Sequence, residues 1–241
     1  MQRLADAGMT FDRAYVASPS CAPSRAALLT GLMPARNGAE DNHSYPREDL
    51  PLLTEGFTAL GYDIVAFGKI AHGPMNAKSG FDFHYPTPYR HPRTGLPAAV
   101  KKHYQEHAVD QPQMLLVGDR RPHVPFINES KYHPDSVVLP VKSINTKSAR
   151  EHWARYCTDV TAMDKDLGEV YDIAKEKFGD TVIFIFTADH GAQWSFAKWH
   201  LKEDGKKLPF MISWPRHIRA ATRSPAMISW KDLFDTFLDL T

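Results

Sequence analysis

A cysteine lies in a short turn followed by a helix-forming run, a placement that suits binding and attack of an anion. The turn is at 18–23, and the run 24–30 ends at Gly31. Free N–H groups and the positive end of the helix dipole would face Cys21, which favours an oxyanion such as sulfate or phosphate and lowers a thiol pKa. Arg25 adds a permanently charged donor fork. Alternatively, Cys21 is a small buried residue at a tight turn.

Two further polar clusters follow predicted strands. Lys69 and His72 come after a strand predicted at 62–67, and Asp189 and His190 come after the longest strongly apolar run of the chain. Carboxylate and imidazole are suitable ligands for a divalent cation beside an anion, although Ca²⁺ prefers oxygen ligands. By themselves these four residues are equally compatible with ordinary polar loops.

Alternating strands and helices are predicted to position these clusters. Strands are predicted at 11–17, 62–67, 113–117, 181–187 and 211–214, helices at 24–30, 52–60, 148–178 and 230–241, and irregular chain at 73–111 and 122–140. This alternation predicts an α/β sandwich. Since the run 181–187 is apolar on both faces, we expect a central strand covered by helices on both sides. Sites in such folds lie beyond the carboxyl ends of the strands, where the three clusters would meet.

Composition excludes several classes of function. With 43% hydrophobic and 24% charged residues in 241, the chain is typical of a soluble globular protein. Its 29 Lys and Arg balance 28 Asp and Glu, so no charge excess indicates a nucleic-acid or membrane partner. The longest apolar run is too short to span a bilayer. Two cysteines exclude a disulfide-dense scaffold.

The wider sequence around the cysteine resembles a known signature. Residues 20–31 read Ser-Cys-Ala-Pro-Ser-Arg-Ala-Ala-Leu-Leu-Thr-Gly, similar to the Cys-x-Pro-Ser-Arg and Thr-Gly pattern of the type I sulfatases. The resemblance implies that a formylglycine-generating enzyme oxidises Cys21 to an aldehyde and reads Ser24 and Arg25 as part of its signal. Arg25 would then hold the hydrated aldehyde. One hydroxyl of that hydrate would attack the sulfur of a sulfated carbohydrate, and the other would expel sulfate.

Three more elements resemble the sulfate-binding parts of this family. Gly-Lys-Ile-Ala-His-Gly at 68–73 implies that Lys69 contacts sulfate and that His72 stabilises the hydrate or acts as a base. Arg-Pro-His-Val-Pro-Phe at 121–126 is similar to the iduronate-2-sulfatase-like branch, which implies that His123 points at the sulfate and protonates the leaving alcohol. Lys198 lies where the family has a later sulfate-binding lysine.

A fourth element implies a metal. Thr-Ala-Asp-His-Gly at 187–191 resembles the family pattern Ser/Thr-x-Asp-His/Asn-Gly, again closest to the iduronate-2-sulfatase-like branch. The resemblance implies that Asp189, His190 and the residue made from Cys21 bind Ca²⁺, with Mg²⁺ as an alternative. Such a metal would polarise the sulfate and favour the ionised nucleophile.

Two features of the family have no counterpart in the sequence. The resemblance implies an alkaline-phosphatase-like sandwich with a central, mostly parallel sheet between helices. Family members also have a first strand with two metal-binding aspartates and a carboxyl-terminal subdomain, and Asp6 and Asp12 flank the wrong elements to replace those aspartates. We therefore expect 1–241 to be a partial catalytic domain with a gap in its sheet. We also expect weakened metal binding and an inactive isolated chain.

Other functions stay open from sequence alone. The same fold could hydrolyse phosphonate or phosphate esters within the wider alkaline phosphatase superfamily. The chain could also be a non-catalytic binding fragment. A thiol protease that pairs Cys21 with a histidine would leave Pro23 and Arg25 without a role. For the full-length protein we expect a bacterial periplasmic or secreted location.

Overall fold

The computed structural model describes residues 1–73, 75–87 and 93–240. Its helices are α1 (Gln2–Ala7), α2 (Cys21–Thr30), α3 (Pro34–Asn37), α4 (Leu53–Ala59), α5 (Met75–Lys78), α6 (Leu96–Glu106), α7 (Lys147–Phe178), α8 (Glu203–Lys206) and α9 (Leu233–Leu240). Its strands are β1 (Met9–Tyr15), β2 (Asp63–Gly68), β3 (Phe83–Tyr85), β4 (Gln113–Gly118), β5 (Phe184–Thr187), β6 (Lys207–Leu208), β7 (Phe210–Ser213) and β8 (Thr222–Ser229). Short 3₁₀ turns lie at Pro134–Ser136, Gly179–Thr181 and Trp230–Asp232.

The strands form two sheets in the described chain. The smaller sheet has the order β3-β2-β4 and is parallel. The larger sheet has the order β5-β7-β1-β6, with β8 pairing parallel to β1 and the other pairings antiparallel. The predicted α/β class is confirmed. Among the described residues, the larger sheet is mixed and is not hydrogen-bonded to the smaller, parallel sheet.

A cavity of about 1110 Å³ lies between the two sheets. β4 is hydrogen-bonded only to β2, and β5 only to β7, so each strand has one edge without a strand partner among the described residues. Both strands line the cavity, together with residues of α2, α4, α7 and α9. The prediction that 181–187 is a central, fully covered strand is therefore wrong. β5 is a half-buried edge strand whose apolar side chains face helices and the cavity.

The smaller sheet carries the best-packed part of the core. Val65 and Phe67 of β2 are completely buried against Leu96 and Val100 of α6 and Val170 of α7. Complete burial of such side chains contributes about 1.5–3 kcal/mol each. The predicted helix is confirmed as α7; of its apolar stripe, Val170 packs in this core, whereas Met163 and Leu167 line the cavity. The core therefore holds β2 rigidly, and the residues that follow its carboxyl end, Lys69 and His72, lie at the site.

Gly68 forms the turn at the carboxyl end of β2. Its φ is +75°, and a Cβ there would lie 2.2 Å from the carbonyl oxygen of Gly118. Only glycine can adopt this turn at such close approach. The N–H of Lys69 donates to the same Gly118 carbonyl at 2.9 Å, so the last turn of β2 is fixed against β4.

Several elements were not predicted from the sequence, among them β3, α6 and β8. The region 73–111 contains β3 and α6, although its Pro, His and Gly content indicates irregular chain; residues 74 and 88–92 lie outside the described residues. β8 contains Pro225, which argues against a strand unless it lies at an edge. The predicted carboxyl-terminal helix begins as a 3₁₀ turn before α9. In the described part of the chain, no helix combines the length and apolarity needed to cross a bilayer.

The cavity predicts uneven protection of backbone amides. We expect amides of β4 and β5 that point into the cavity to exchange with solvent faster than amides of β2, which is paired on both edges. Hydrogen–deuterium exchange resolved to single amides measures this. Equal protection of β2, β4 and β5 would contradict an open cavity between the sheets.

Candidate active site

Five chain segments bring the predicted site residues together. β1 leads into the turn of Cys21, β2 into Lys69 and His72, and β4 into His123, while β5 leads into Asp189 and His190. β1 and β5 are both antiparallel to β7, so their carboxyl ends point the same way. Lys198 comes from the long loop after β5. The site therefore lies beyond the carboxyl ends of strands, as the sequence predicts.

The Cys21 thiol lies at the centre of this group. It is the first residue of α2, only 1% exposed. Its Sγ is 3.1 Å from Nε2 of His190 and 3.5 Å from Nζ of Lys198. Burial raises the pKa of the Cys21 thiol, but hydrogen bonds from His123, His190 and His72 outweigh burial and hold the pKa far below its ordinary value. The geometry thus favours a thiolate, or another anion, at this position.

Two nearly buried lysines add positive charge. Lys69 is 9% exposed and Lys198 is 4% exposed. Burial lowers the pKa of Lys69 and the charge of Arg25 lowers it further, whereas Cys21 and Asp189 act to raise it. Lys198 also donates to Oε1 of Gln193 at 3.3 Å. Because lysines are rarely buried without a negative partner, this arrangement is suited to an anionic ligand.

Arg25 joins three parts of the site. Its Nε donates to Oδ2 of Asp189 at 2.8 Å, and its Nη1 donates to the carbonyl oxygens of Lys69 and Ile70, the latter at 2.7 Å. Burial raises the pKa of Asp189, but Arg25 and His190 outweigh it and keep the pKa below its usual value. Arg25 therefore positions Asp189, and its predicted contact with a hydrated aldehyde stays a prediction.

Three side chains form a cluster that could hold a cation. Ligand atoms of Cys21, Asp189 and His190 all lie within 4.8 Å of one another. Nδ1 of His190 donates to the carbonyl of Gly191 at 2.7 Å, which leaves Nε2 directed at Cys21. These donors fit a divalent metal. They supply only one carboxylate, however, and one of its oxygens is bound by Arg25. Ca²⁺ takes six to eight oxygens, so water or substrate would have to complete its coordination.

The loop of His123 is clamped from two sides. Arg93, 4% exposed, donates to the carbonyl of His123 and to those of Val124 at 3.2 Å and Arg120 at 3.4 Å. Nδ1 of His123 lies 2.6 Å from the Val124 carbonyl. The histidine ring is therefore oriented by its own loop. Sequence reasoning missed Arg93, because it lies about thirty residues away and outside every motif.

An ion-pair cluster anchors the other side of that loop. Arg121 is 8% exposed, and its Nη2 contacts Asp119 at 2.7 Å and also Asp166 of α7. Burial lowers the pKa of Arg121, but the two carboxylates outweigh it and raise the pKa. Asp166 lies next to the apolar stripe of α7. This position is the only feature of the sequence that indicates its contact with Arg121.

The turn after α3 also reaches the site. Oδ1 of Asn42 accepts from Oγ of Ser20 at 2.9 Å and from the backbone N–H of Ala22 at 3.4 Å, so it holds the cysteine turn. Nδ1 of His43 lies 3.1 Å from Nε2 of His72. Sequence reasoning assigned neither residue to the site, since no periodicity or motif marks them.

Comparison with known proteins identifies the family. A sequence model of the sulfatase family matches residues 1–241. This chain belongs to the sulfatase family. It is 28% identical to an ulvan-active sulfatase of Formosa agariphila, covering 98% of this chain and 48% of that protein. It is 29% identical to the human N-sulphoglucosamine sulphohydrolase, covering 99% of this chain and 55% of that protein. The sulfatase chain thus spans about half the length of the curated relatives it matches.

Solved structures confirm the fold. A Bacteroides thetaiotaomicron structure described with glycosaminoglycan metabolism aligns with a TM-score of 0.81 at 21% identity, covering 99% of this chain and 64% of the other. A phosphonate monoester hydrolase of Silicibacter pomeroyi aligns with a TM-score of 0.82 at 18% identity, covering 99% and 67%. The sulfatase chain therefore has the alkaline-phosphatase-like fold predicted from its motifs.

The two cysteines of the unmodified chain should titrate differently. Burial raises the pKa of Cys157, whereas the histidines lower that of Cys21. We expect thiolate absorbance from Cys21 to persist well below pH 8, under the ordinary cysteine pKa of about 8.5. Ultraviolet titration measures this, with Cys21→Ser expected to remove the low-pH signal and Cys157→Ser to leave it. A single transition near or above pH 8.5 would refute the described site electrostatics.

Proposed function

We propose that the site hydrolyses sulfate esters of carbohydrates, with Cys21 acting after conversion to formylglycine. The observation that carries this proposal is that Lys198, Lys69 and His123 all interact with the buried Cys21 thiol at the start of α2. Such a site is built for an anionic ester next to a nucleophile. The named activities of the relatives support the substrate class, because ulvan and sulphoglucosamine are both carbohydrates.

In the first step, one hydroxyl of the hydrate proposed at position 21 would pass its proton to solvent, and its oxygen would attack sulfur and form a new S–O bond. The S–O bond to the sugar would break, and the sugar oxygen would take a proton. We assign His123 to supply that proton from Nε2, because its Nδ1 is engaged with the Val124 carbonyl. Lys69 and Lys198 would offset the charge on the sulfate oxygens as the S–O bond breaks.

In the second step, the remaining hydroxyl at position 21 would give up its proton as the carbonyl re-forms. The C–O bond to sulfate would break, so free sulfate would leave and the aldehyde would be restored. We assign His72 to accept that proton, and the contact between its Nε2 and His43 supports the orientation of its ring. A serine at position 21 would lack the second hydroxyl and would remain sulfated.

Asp189, His190 and the residue at position 21 would hold a divalent metal, Ca²⁺ or Mg²⁺. Such an ion, when bound, would polarise a sulfate oxygen and favour the ionised form of the attacking hydroxyl. Because these residues provide one carboxylate, we expect weak metal affinity and little or no turnover from the isolated chain. The location of the protein, expected in the periplasm or outside the cell, stays a prediction.

Maturation of Cys21 is the first test. We expect the tryptic peptide with Cys21 to lose its sulfur when the protein is made together with a formylglycine-generating enzyme, and Cys157 to stay a thiol. Mass spectrometry measures both peptides in one sample. A Cys21 thiol that persists in a competent host would instead support a non-catalytic fragment.

Turnover of matched substrates is the second part of that test. In material with measurable activity we expect an aryl sulfate to be hydrolysed faster than the corresponding aryl phosphonate, and Cys21→Ala to abolish both reactions. The reverse preference would favour the phosphonate hydrolase function. Substantial activity of Cys21→Ala would refute the assigned nucleophile.

Metal binding tests the role of Asp189. We expect Asp189→Ala to weaken Ca²⁺ binding by about 10-fold or more, as even residues that only orient metal ligands have effects of this size. Equilibrium Ca²⁺ binding measures this, with Asp180→Ala as a control because that carboxylate is exposed and pairs with Lys175. Circular dichroism checks that the variant folds, since Arg25 loses its partner. Equal affinity of the folded Asp189→Ala protein would exclude Asp189 as a ligand.

A further inference from the structure

One large aromatic side chain stays in solvent beside the site. Of the five tryptophans, Trp199 alone is exposed, with 62% of its surface accessible. Its neighbour in sequence, Lys198, is 4% exposed and reaches Cys21. The chain therefore passes from the interior of the site to open solvent within one residue, and the residue on the solvent side is an indole.

The backbone of Trp199 is held in a defined conformation. Its φ is +67°, a left-handed conformation that is strained for a bulky residue. Its N–H donates to the carbonyl of Pro19 at 2.8 Å, and the N–H of Lys198 donates to the carbonyl of Ala192 at 3.0 Å. Since Pro19 is two residues before Cys21, the backbone of Trp199 is tied to the turn that carries the nucleophile, and the indole projects from that point.

Two measured distances place the ring near the reacting atom. Nζ of Lys198 lies 5.2 Å from the centroid of the Trp199 ring and 3.5 Å from Sγ of Cys21. The ring centroid is therefore no farther from Sγ than the sum of these two distances. A sugar ring that carries the sulfate ester is only a few bonds from sulfur, so it would reach this ring while its sulfate contacts the lysines.

We propose that Trp199 is a stacking platform for the sugar ring of the substrate, next to the sulfate site formed by Lys69 and Lys198. This inference rests on the proposed function, since it needs a sulfate ester at Cys21. An indole offers a rigid apolar face with negative charge density, and a sugar offers a face of C–H groups that bears partial positive charge. Aromatic side chains commonly line ligand sites in this way, with a few polar groups fixing orientation. Trp199 would thus contribute affinity for a ring, and the lysines affinity for the sulfate.

Binding to the unmodified chain separates the two contributions. We would titrate the protein with galactose 6-sulfate and, separately, with inorganic sulfate, and follow the indole N–H signals by NMR. The wild-type chain should bind the sugar sulfate more tightly than sulfate alone, and the Trp199 signal should shift only with the sugar. Trp199→Ala should weaken sugar-sulfate binding by about 2- to 12-fold, which corresponds to the usual worth of an aromatic contact. It should leave inorganic sulfate binding unchanged, and Trp199→Phe should restore part of the loss.

Controls distinguish this inference from the proposed function. Leu201→Ala removes another exposed apolar side chain, 75% accessible, from the same loop and should change neither affinity. Lys198→Met should weaken both ligands. If both ligands bind but Trp199→Ala leaves the sugar-sulfate affinity unchanged, the platform is wrong and the sulfate site stands. If neither the wild-type chain nor a Cys21→Ser variant, which lacks the thiolate, binds either ligand, the proposed function fails and the platform with it.

Discussion

The guanidinium of Arg25 is the interaction on which the site depends. It binds Asp189 beyond the larger sheet and the carbonyls of Lys69 and Ile70 beyond the smaller sheet. The two sheets are separated by a cavity, and Arg25 connects them at the end where the site lies. The side chains of Arg25 and Asp189 are only 12% and 18% exposed, so the loss of one partner would leave a poorly solvated charge. Arg25 is therefore as important for geometry as for charge.

The electrostatics of the site follow from crowding of positive groups. Lys69, Lys198 and three histidines surround one atom, and such an arrangement is stable only with an anion in it. In the unmodified chain the Cys21 thiolate is that anion. Conversion of Cys21 to a neutral hydrate, as proposed, would remove the negative charge and keep the positive groups. The matured site would then have a higher affinity for an external anion such as sulfate. Maturation and sulfate binding are thus linked through charge alone.

Sequence periodicity and turn signals predicted the elements whose structure depends mainly on neighbouring residues. The apolar stripe of α7 and the buried run of β2 follow from periodicity, and Cys21 at a helix start follows from turn and helix signals. The placement of β5 failed, because a strand that is apolar on both faces indicates helical cover but not how many strands pair with it. β8 was missed because Pro225 argues against a strand, and only its pairing with β1 makes it one.

The site was predicted from motifs, but its supports were not. Arg93, Asn42 and His43 act on residues about 20 to 30 positions away, through carbonyls and side-chain oxygens that no spacing rule describes. Trp199 was passed over because it lies beside Lys198 in a loop without periodicity. These residues become visible only when the chain is folded, since their partners are set by tertiary contact.

The cavity between the sheets extends to Asp189 and His190, two of the three residues that could bind a metal. The surface that β4 and β5 expose to the cavity continues to Asp189 and His190. Any group that supplies further oxygen ligands from this direction must approach along the unpaired strand edges. Movement of β5 relative to β4 would also shift Asp189 against Lys69, with Arg25 as the main restraint. Order along these edges and affinity for a metal are therefore coupled. A change that makes the β4 and β5 edges more rigid should increase the affinity for a metal.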